Sequence, residues 1–284
     1  MTGVTLWSPP AVTHVIPGDT GVKAVTSLDD RVYVVRRDKK EVEIYDTAIM
    51  TLQRRLPVPG ISRSALGIAA CSRNKCLYLS DWNILSIHRV DLVTDAAKKW
   101  SVAKSPEGLS VNRDHNLLVA CSDGKKLQEY TTDGRLVREI CLASFPYHSI
   151  QLSTGDYVVS HWSPPGVVSV VGVDGGLLRS YGLSSSSDVG PMKDPRHLVV
   201  TKYGDILVAD RGNNRILAIN SSLTRAQLFP VPAGINPQAP CALSLDETRD
   251  RLYIGELSGQ QRVIVLNNLS SVRFIWKPEY AQEF

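Results

Sequence analysis

A short strand-forming phrase returns six times along this chain. It begins at Arg31 (RVYVVRRD), Cys76 (CLYLSDWN), Asn116 (NLLVACSD), Asp156 (DYVVSHWS), Asp205 (DILVADRG) and Arg251 (RLYIGELS), at spacings of 40 to 49 residues. Self-similarity at that period means that one supersecondary unit is repeated and that each copy buries its faces against its neighbours. Around each phrase the same order of pieces recurs. In the fifth unit it runs HLVV from His197, the turn Lys202-Tyr203-Gly204, DILVA from Asp205, the loop Arg211-Gly212-Asn213-Asn214, RILAIN from Arg215 and a fourth extended segment, AQLFPVP, from Ala226. Short runs rich in Val, Ile, Leu and Tyr, punctuated by Gly, Asn, Asp and Pro, are antiparallel strands, and no segment carries a helical period.

Four strands in a unit of roughly 45 residues make a propeller blade, and six such blades use up 284 residues. The expected fold is all-β, a six-bladed propeller of four-stranded antiparallel blades forming one domain over 1–284, with blades near 21–63, 64–104, 105–144, 145–190, 191–235 and 236–284. The outer strand of blade six has two candidates, the C-terminal SVRFIWK and the N-terminal TLWSPPAVTHVIP.

The formal charge of +4 with 21% charged residues is only mildly basic, so a nucleic-acid site would have to come from local clustering. The first twenty residues contain Pro9, Pro10, Pro17 and Asp19 and no apolar core, and no stretch approaches eighteen apolar residues, which argues against secretion and membrane insertion and for the cytoplasm. Most of the five cysteines fall in apolar strands, where a free thiol acts as a small hydrophobe. Cys71 and Cys76 flank a four-residue turn across which a disulfide is conceivable.

The fifth unit, DPRHLVVTKYGDILVADRGNNRILAIN, resembles the NHL repeat through Pro195, Gly204, Asp205, Val208, Asp210, Asn213, Asn214, Arg215 and Ile216, and the third unit matches more loosely. As architecture the resemblance spans the chain; as a motif it is specific in one or two blades. It is similar to the C-terminal NHL propellers of TRIM-NHL and Brat-type proteins, which implies binding of RNA or of partner proteins. The repeat also occurs in lyases and receptor kinases, so fold alone does not fix function.

Alternate loops of an antiparallel blade fall on opposite faces. The loops after the second strands carry Arg36, Arg37, Lys39, Lys40, Trp82, Lys125, Lys126, His161, Trp162, Arg211 and Arg262, and the links into the inner strands add Arg63, Tyr147, His148 and Arg196. The opposite side carries Asp29, Asp30, Asp91, Asp95, Asp133, Asp174, Asp246, Glu247 and Asp250. A basic face with interleaved aromatics suits RNA, because cations neutralise phosphates while rings stack on unpaired bases. Asp210 with Arg215, Glu256 with Arg262, and Arg36 with Glu41 flank equivalent loops and are expected to be structural ion pairs, which removes Arg36, Arg215 and Arg262 from the ligand candidates. The candidates for RNA contact are Arg37, Lys39, Lys40, Arg63, Trp82, Lys125, Lys126, Tyr147, His148, His161, Trp162, Arg196 and Arg211.

The first residues of the inner strands should ring the central channel; by alignment they are Lys23, Leu66, Glu107, His148, Arg196 and Cys241. Only Glu107 and His148 are natural metal ligands there, and Lys23 and Arg196 would repel a cation, so neither a metal nor another cofactor is expected. No phosphate-binding Gly-rich loop opens a helix, no Cys-x-x-Cys pair exists and no nucleophile elbow occurs, so no catalytic residue is assigned. The sequence therefore implies a non-enzymatic recognition domain, monomeric in isolation, that binds single-stranded or stem-loop RNA through its basic face. The alternatives are a protein-interaction module of a TRIM-type ubiquitin ligase or scaffold and, more weakly, a channel-site metal-dependent hydrolase or lyase.

Overall fold

The computed structural model describes residues 10–63, 65–161, 164–182, 189–272, 274 and 276. They form six four-stranded antiparallel sheets set in a ring. After β1 (Ala11–Ile16), blade one is β2 (Val22–Leu28), β3 (Arg31–Arg36), β4 (Glu41–Asp46) and β5 (Leu52–Pro57). Blade two is β6 (Ile68–Cys71), β7 (Cys76–Asp81), β8 (Ser86–Asp91) and β9 (Ala97–Ser101), and blade three is β10 (Pro106–Val111), β11 (Leu117–Cys121), β12 (Lys126–Tyr130) and β13 (Leu136–Cys141). Blade four is β14 (Pro146–Gln151), β15 (Tyr157–His161), β16 (Val167–Val171) and β17 (Leu177–Tyr181), and blade five is β18 (Pro195–Val200), β19 (Ile206–Asp210), β20 (Arg215–Ile219) and β21 (Ala226–Leu228). Blade six joins β22 (Pro240–Asp246), β23 (Arg251–Glu256) and β24 (Val263–Asn267) to β1. The repeated phrase is the second strand of every blade. The helical residues described are confined to two single 3-10 turns, Arg211–Asn213 and Leu269–Ser271, and no helix is long and apolar enough to cross a membrane.

The second strands are unbroken apolar runs because both of their faces are buried. In β3, Val32 and Val34 pack toward blade six while Tyr33 and Val35 pack toward blade two. In β19, Ile206 and Val208 face blade four, and Leu207 and Ala209 face blade six. This is period-two alternation with an apolar residue on each side. The hydrophobic core is accordingly a ring of blade-to-blade interfaces around an open axis.

The N-terminal strand closes the ring. β1 runs antiparallel to β24, from Ala11 opposite Asn267 to Ile16 opposite Val263, and Ile16 is 1% exposed. The C-terminal candidate is turned away from the sheet at Leu269–Ser271; beyond it Phe274 stacks on Trp276 with centroids 5.7 Å apart, and Trp276 Nε1 donates to Asp205 Oδ1 at 3.1 Å. Cys71 and Cys76 are cross-strand partners in the β6–β7 hairpin and are buried free thiols.

Arg36 fastens the seam. Although it is 1% exposed, its Nε donates to Glu43 Oε2 at 2.6 Å, Nη1 to the carbonyls of Thr20 (3.1 Å) and Gln261 (2.8 Å), and Nη2 to that of Pro17 (2.8 Å). The guanidinium thus ties the β1–β2 link and a loop of blade six to blade one. A Cβ at Gly18 would fall 1.8 Å from Arg36 Nη1, which is why that position has no side chain. The ion partner is Glu43 and not the expected Glu41. Both carboxylates share one face of β4, but Glu41 is taken by Arg55 at 3.1 Å while Glu43 lies deeper, at 6% exposure. Asp210–Arg215 at 2.7 Å and Glu256–Arg262 at 3.1 Å are the other two pairs.

Replacing Arg36 by Met leaves three carbonyls without their buried donor and Glu43 without its guanidinium, with only the Tyr45 hydroxyl still donating to the same oxygen at 2.8 Å. Urea unfolding should register a loss of about 3–5 kcal/mol, the cost of removing one partner of a buried pair. A loss under about 1 kcal/mol would mean that β1 alone holds the seam.

Candidate functional site at the channel mouth

Four inner strands begin with a buried proline, Pro106, Pro146, Pro195 and Pro240, at a position where a strand needs no N–H donor. Just after the start of the inner strand the register slips by one residue in five blades, between Val22 and Ala24, Pro106 and Leu109, Pro146 and His148, Pro195 and Leu198, and Pro240 and Ala242. A bulge re-aims the extra side chain. Here it turns Lys23, Glu107, Tyr147, Arg196 and Cys241 toward the axis, where with Leu66 they line a cup of about 500 Å³.

Five of the six residues expected to ring the channel are present, and the sixth is displaced by one. Tyr147 takes the place assigned to His148, because Pro146 is equivalent to the prolines that precede Glu107, Arg196 and Cys241. His148 instead faces the other end of the channel, 1% exposed and stacked on His197 at 3.7 Å between centroids. The Leu198 N–H donates to its Nδ1 at 3.3 Å, so Nε2 carries the proton and donates to Leu109 O at 3.1 Å. This neutral imidazole is no part of the basic face.

The other sequence candidates divide by their surroundings. Trp82, Tyr147, Arg196 and Arg211 line the cup, with Trp82 47% exposed. Lys125 stands beside it, its Nζ 4.7 Å from the centroid of Phe145, and Arg37 is close enough to Lys23 to bear on its charge. Lys39 pairs with Asp19 at 2.8 Å and Arg63 with Asp38 at 2.5 Å, both in solvent, while Lys40 is exposed. Lys126 lies on the blade edge against Glu139 at 2.7 Å. His161 is sealed within blade four, its Nε2 2.6 Å from Ser169 Oγ, and Trp162 falls outside the described residues. Sequence reasoning passed over Phe145 and Ser105, which also line the cup. Each stands immediately before an inner-strand proline, and that repeated X-Pro step is the signal that marks them.

Asp194 organises the cations of blade five. Its Oδ2 is 2.7 Å from Arg211 Nε and its Oδ1 2.8 Å from Arg196 Nε, the latter too poorly aligned for a hydrogen bond. The Arg196 guanidinium lies 4.3 Å over the Tyr147 ring. Burial, then the charges of Arg37 and Arg196, pull the Lys23 ammonium below its usual range. Burial pushes the Glu107 carboxyl up against the opposing effect of Ser122 Oγ, which donates to it at 3.2 Å. Burial also drives the Cys241 thiol up to about 11, so it is no nucleophile near neutrality. Among the described residues no three His, Cys, Asp or Glu side chains are grouped to hold a metal ion. The arrangement is suited to attracting anions and stacking flat rings.

The sequence matches no family model and no curated protein. Solved structures share the fold. A streptogramin B lyase is 13% identical with a TM-score of 0.66, over 89% of this chain and 96% of that one. Virginiamycin B lyase from Staphylococcus aureus is 13% identical with a TM-score of 0.63, over 89% and 87%. Kuenenia stuttgartiensis hydrazine synthase is 18% identical with a TM-score of 0.66, over 89% and 78%. At these identities the likeness establishes the propeller alone, and the NHL character of blade five remains a resemblance of sequence.

Burial lowers His148 and His161 to about 4, and His197, buried and facing His148, well below its usual value. In each case the unfolded chain takes up a proton near pH 6.5 that the folded state refuses until the pH is well lower, about 4 for His148 and His161. Stability is therefore full above pH 6.5 and declines as the pH falls, by up to about 1.4 kcal/mol per pH unit for each such histidine. Urea midpoints at pH 7 and pH 5 should show the decline, and His148→Gln should reduce its slope; an unchanged slope would place the proton uptake elsewhere.

Proposed function

We propose that this chain is a non-enzymatic recognition domain that binds single-stranded RNA across the face bearing the channel mouth. One observation carries the proposal: accessible rings and cations meet at a single concavity, with Trp82 exposed on one side, Arg196 and Arg211 on another, and Phe145 beside Lys125 at the rim. Stacking on accessible rings combined with phosphate neutralisation is how single strands are held without a groove to read. Across the loops and cup of this face Lys23, Arg37, Lys39, Lys40, Arg63, Lys104, Lys125, Lys193, Arg196 and Arg211 outnumber Asp19, Asp38, Glu107, Asp123 and Asp194.

A second reading, a protein-interaction module that presents partners to a ligase or scaffold, is favoured by the exposed pairs Lys39–Asp19 and Arg63–Asp38, which give the rim a mixed charge. The fold shared with the lyases bears on a third, a channel-site enzyme; Glu107, with its raised carboxyl, is the acid that such an enzyme would use.

Fluorescence anisotropy with a random-sequence RNA decamer tests the first reading. Trp82→Ala should weaken binding by about 1–3 kcal/mol with little change in salt dependence. Lys40→Ala and Lys125→Ala should each reduce the slope of log K against log salt by about 0.7. Lys202→Ala, on the opposite face, should change neither. Absence of RNA affinity at low salt, with retention of a protein partner that Trp82→Ala abolishes, would transfer the proposal to the interaction module.

A further inference from the structure

Four of the least exposed arginines have carboxylates at hand: Arg36 has Glu43, Arg196 has Asp194, Arg215 has Asp210 and Arg262 has Glu256. Lys23 breaks that rule. Bulged out of β2 toward the axis and half-buried, it has no ion-pair partner among the described residues, and its charged neighbours include Arg37 and Arg196 as well as Glu107. Holding an ammonium there is unfavourable unless an anion joins it. Arg196 adds to the demand, since it shares its one carboxylate, Asp194, with Arg211.

The cup also has two dissimilar sides. Inner strands touch in the order of blades one to six and back to one, so blade five stands across the axis from blade two. The guanidinium groups of Arg196 and Arg211 therefore oppose the exposed indole of Trp82, and Lys23 enters the cup from blade one, beside the Trp82 blade and two blades from Arg196. A volume of about 500 Å³ is within the range of pockets that hold a nucleotide-sized ligand.

We propose that the cup receives a phosphate monoester, the terminal phosphate of a nucleic-acid strand, between Lys23 and Arg196, with the terminal base on Trp82. This rests on the RNA reading of the face and adds to it a preference for strand ends. A monoester carries close to two negative charges at pH 7 and three acceptor oxygens. A diester within a strand brings one charge and leaves the Lys23 and Arg196 donors incompletely used. A free mononucleotide offers the same chemistry, and the experiment separates the two sources.

One decamer is prepared with a 5′-phosphate, with a 3′-phosphate and with hydroxyl ends, and each is titrated against wild type and Lys23→Met, which keeps the stem and removes the charge. Arg37→Gln serves as a second variant, and thermal melts check that both fold. The proposal expects one phosphorylated form to bind wild type about tenfold or more tightly than the hydroxyl-ended strand. Lys23→Met should erase that preference, bringing the affinity of the phosphorylated strand down to that of the hydroxyl-ended one. Equal affinity for all three strands would overturn the end preference and leave RNA binding intact. If no strand binds but adenosine or uridine monophosphate raises the Tm of wild type and not of Lys23→Met, the phosphate site stands and the RNA reading falls. If neither strands nor mononucleotides bind, both are wrong.

Discussion

The buried guanidinium of Arg36 is the contact on which the ring depends. Each blade covers its two apolar faces only with its neighbours, so an open chain of blades would leave an oily surface at both ends. Arg36 joins the places where the chain starts and finishes its circuit, reaching Pro17 and Thr20 on one side and Gln261 on the other. The same position in other blades does related work. Asp81 accepts from the Ser62 N–H, Asp210 from those of Lys193 and Asp194, and Glu256 from that of Gln238. An acid at the end of the second strand thus grips the incoming link through its amides, and at the seam an arginine grips it through its carbonyls.

That grip also builds the site. The links held in this way lead directly into the inner strands, and the bulges that follow set the direction of Lys23, Glu107, Tyr147, Arg196 and Cys241. The cup is therefore assembled by backbone geometry repeated around the ring, while its chemistry comes from side chains that differ in every blade. A concavity of this kind makes no demand on the hydrophobic core, which lies between the blades and leaves the axis free.

The architecture was legible because the second strands, buried on both faces, are continuous apolar runs that stand out from any solvated segment. The ring closure was open in sequence because both termini carry extended, partly apolar stretches, and pairing with β24 is a matter of register across the whole chain. The site was legible more by face than by residue. Loop positions put Trp82, Lys125 and Arg211 on the correct side, whereas His148 missed the axis by a single residue, since a bulge changes which side chain points inward and no composition records it. Likewise Glu43 displaced Glu41 because depth below the surface, not distance along the hairpin, decides which carboxylate an arginine takes.

The pairing of β1 with β24 also sets a timetable. Ala11 meets Asn267, so the first strand of the propeller waits for its last, at a sequence separation of 256 (267 minus 11). Contacts so distant in sequence form late, because a long loop must close before they contribute anything. Blades one to five can assemble on their neighbours as they are made, but Ile16 stays uncovered until Val263 has been synthesised. β1 thus stays an unpaired edge strand while the rest of the propeller is made, and the interval before closure is when the propeller is most exposed to pairing with another copy of itself.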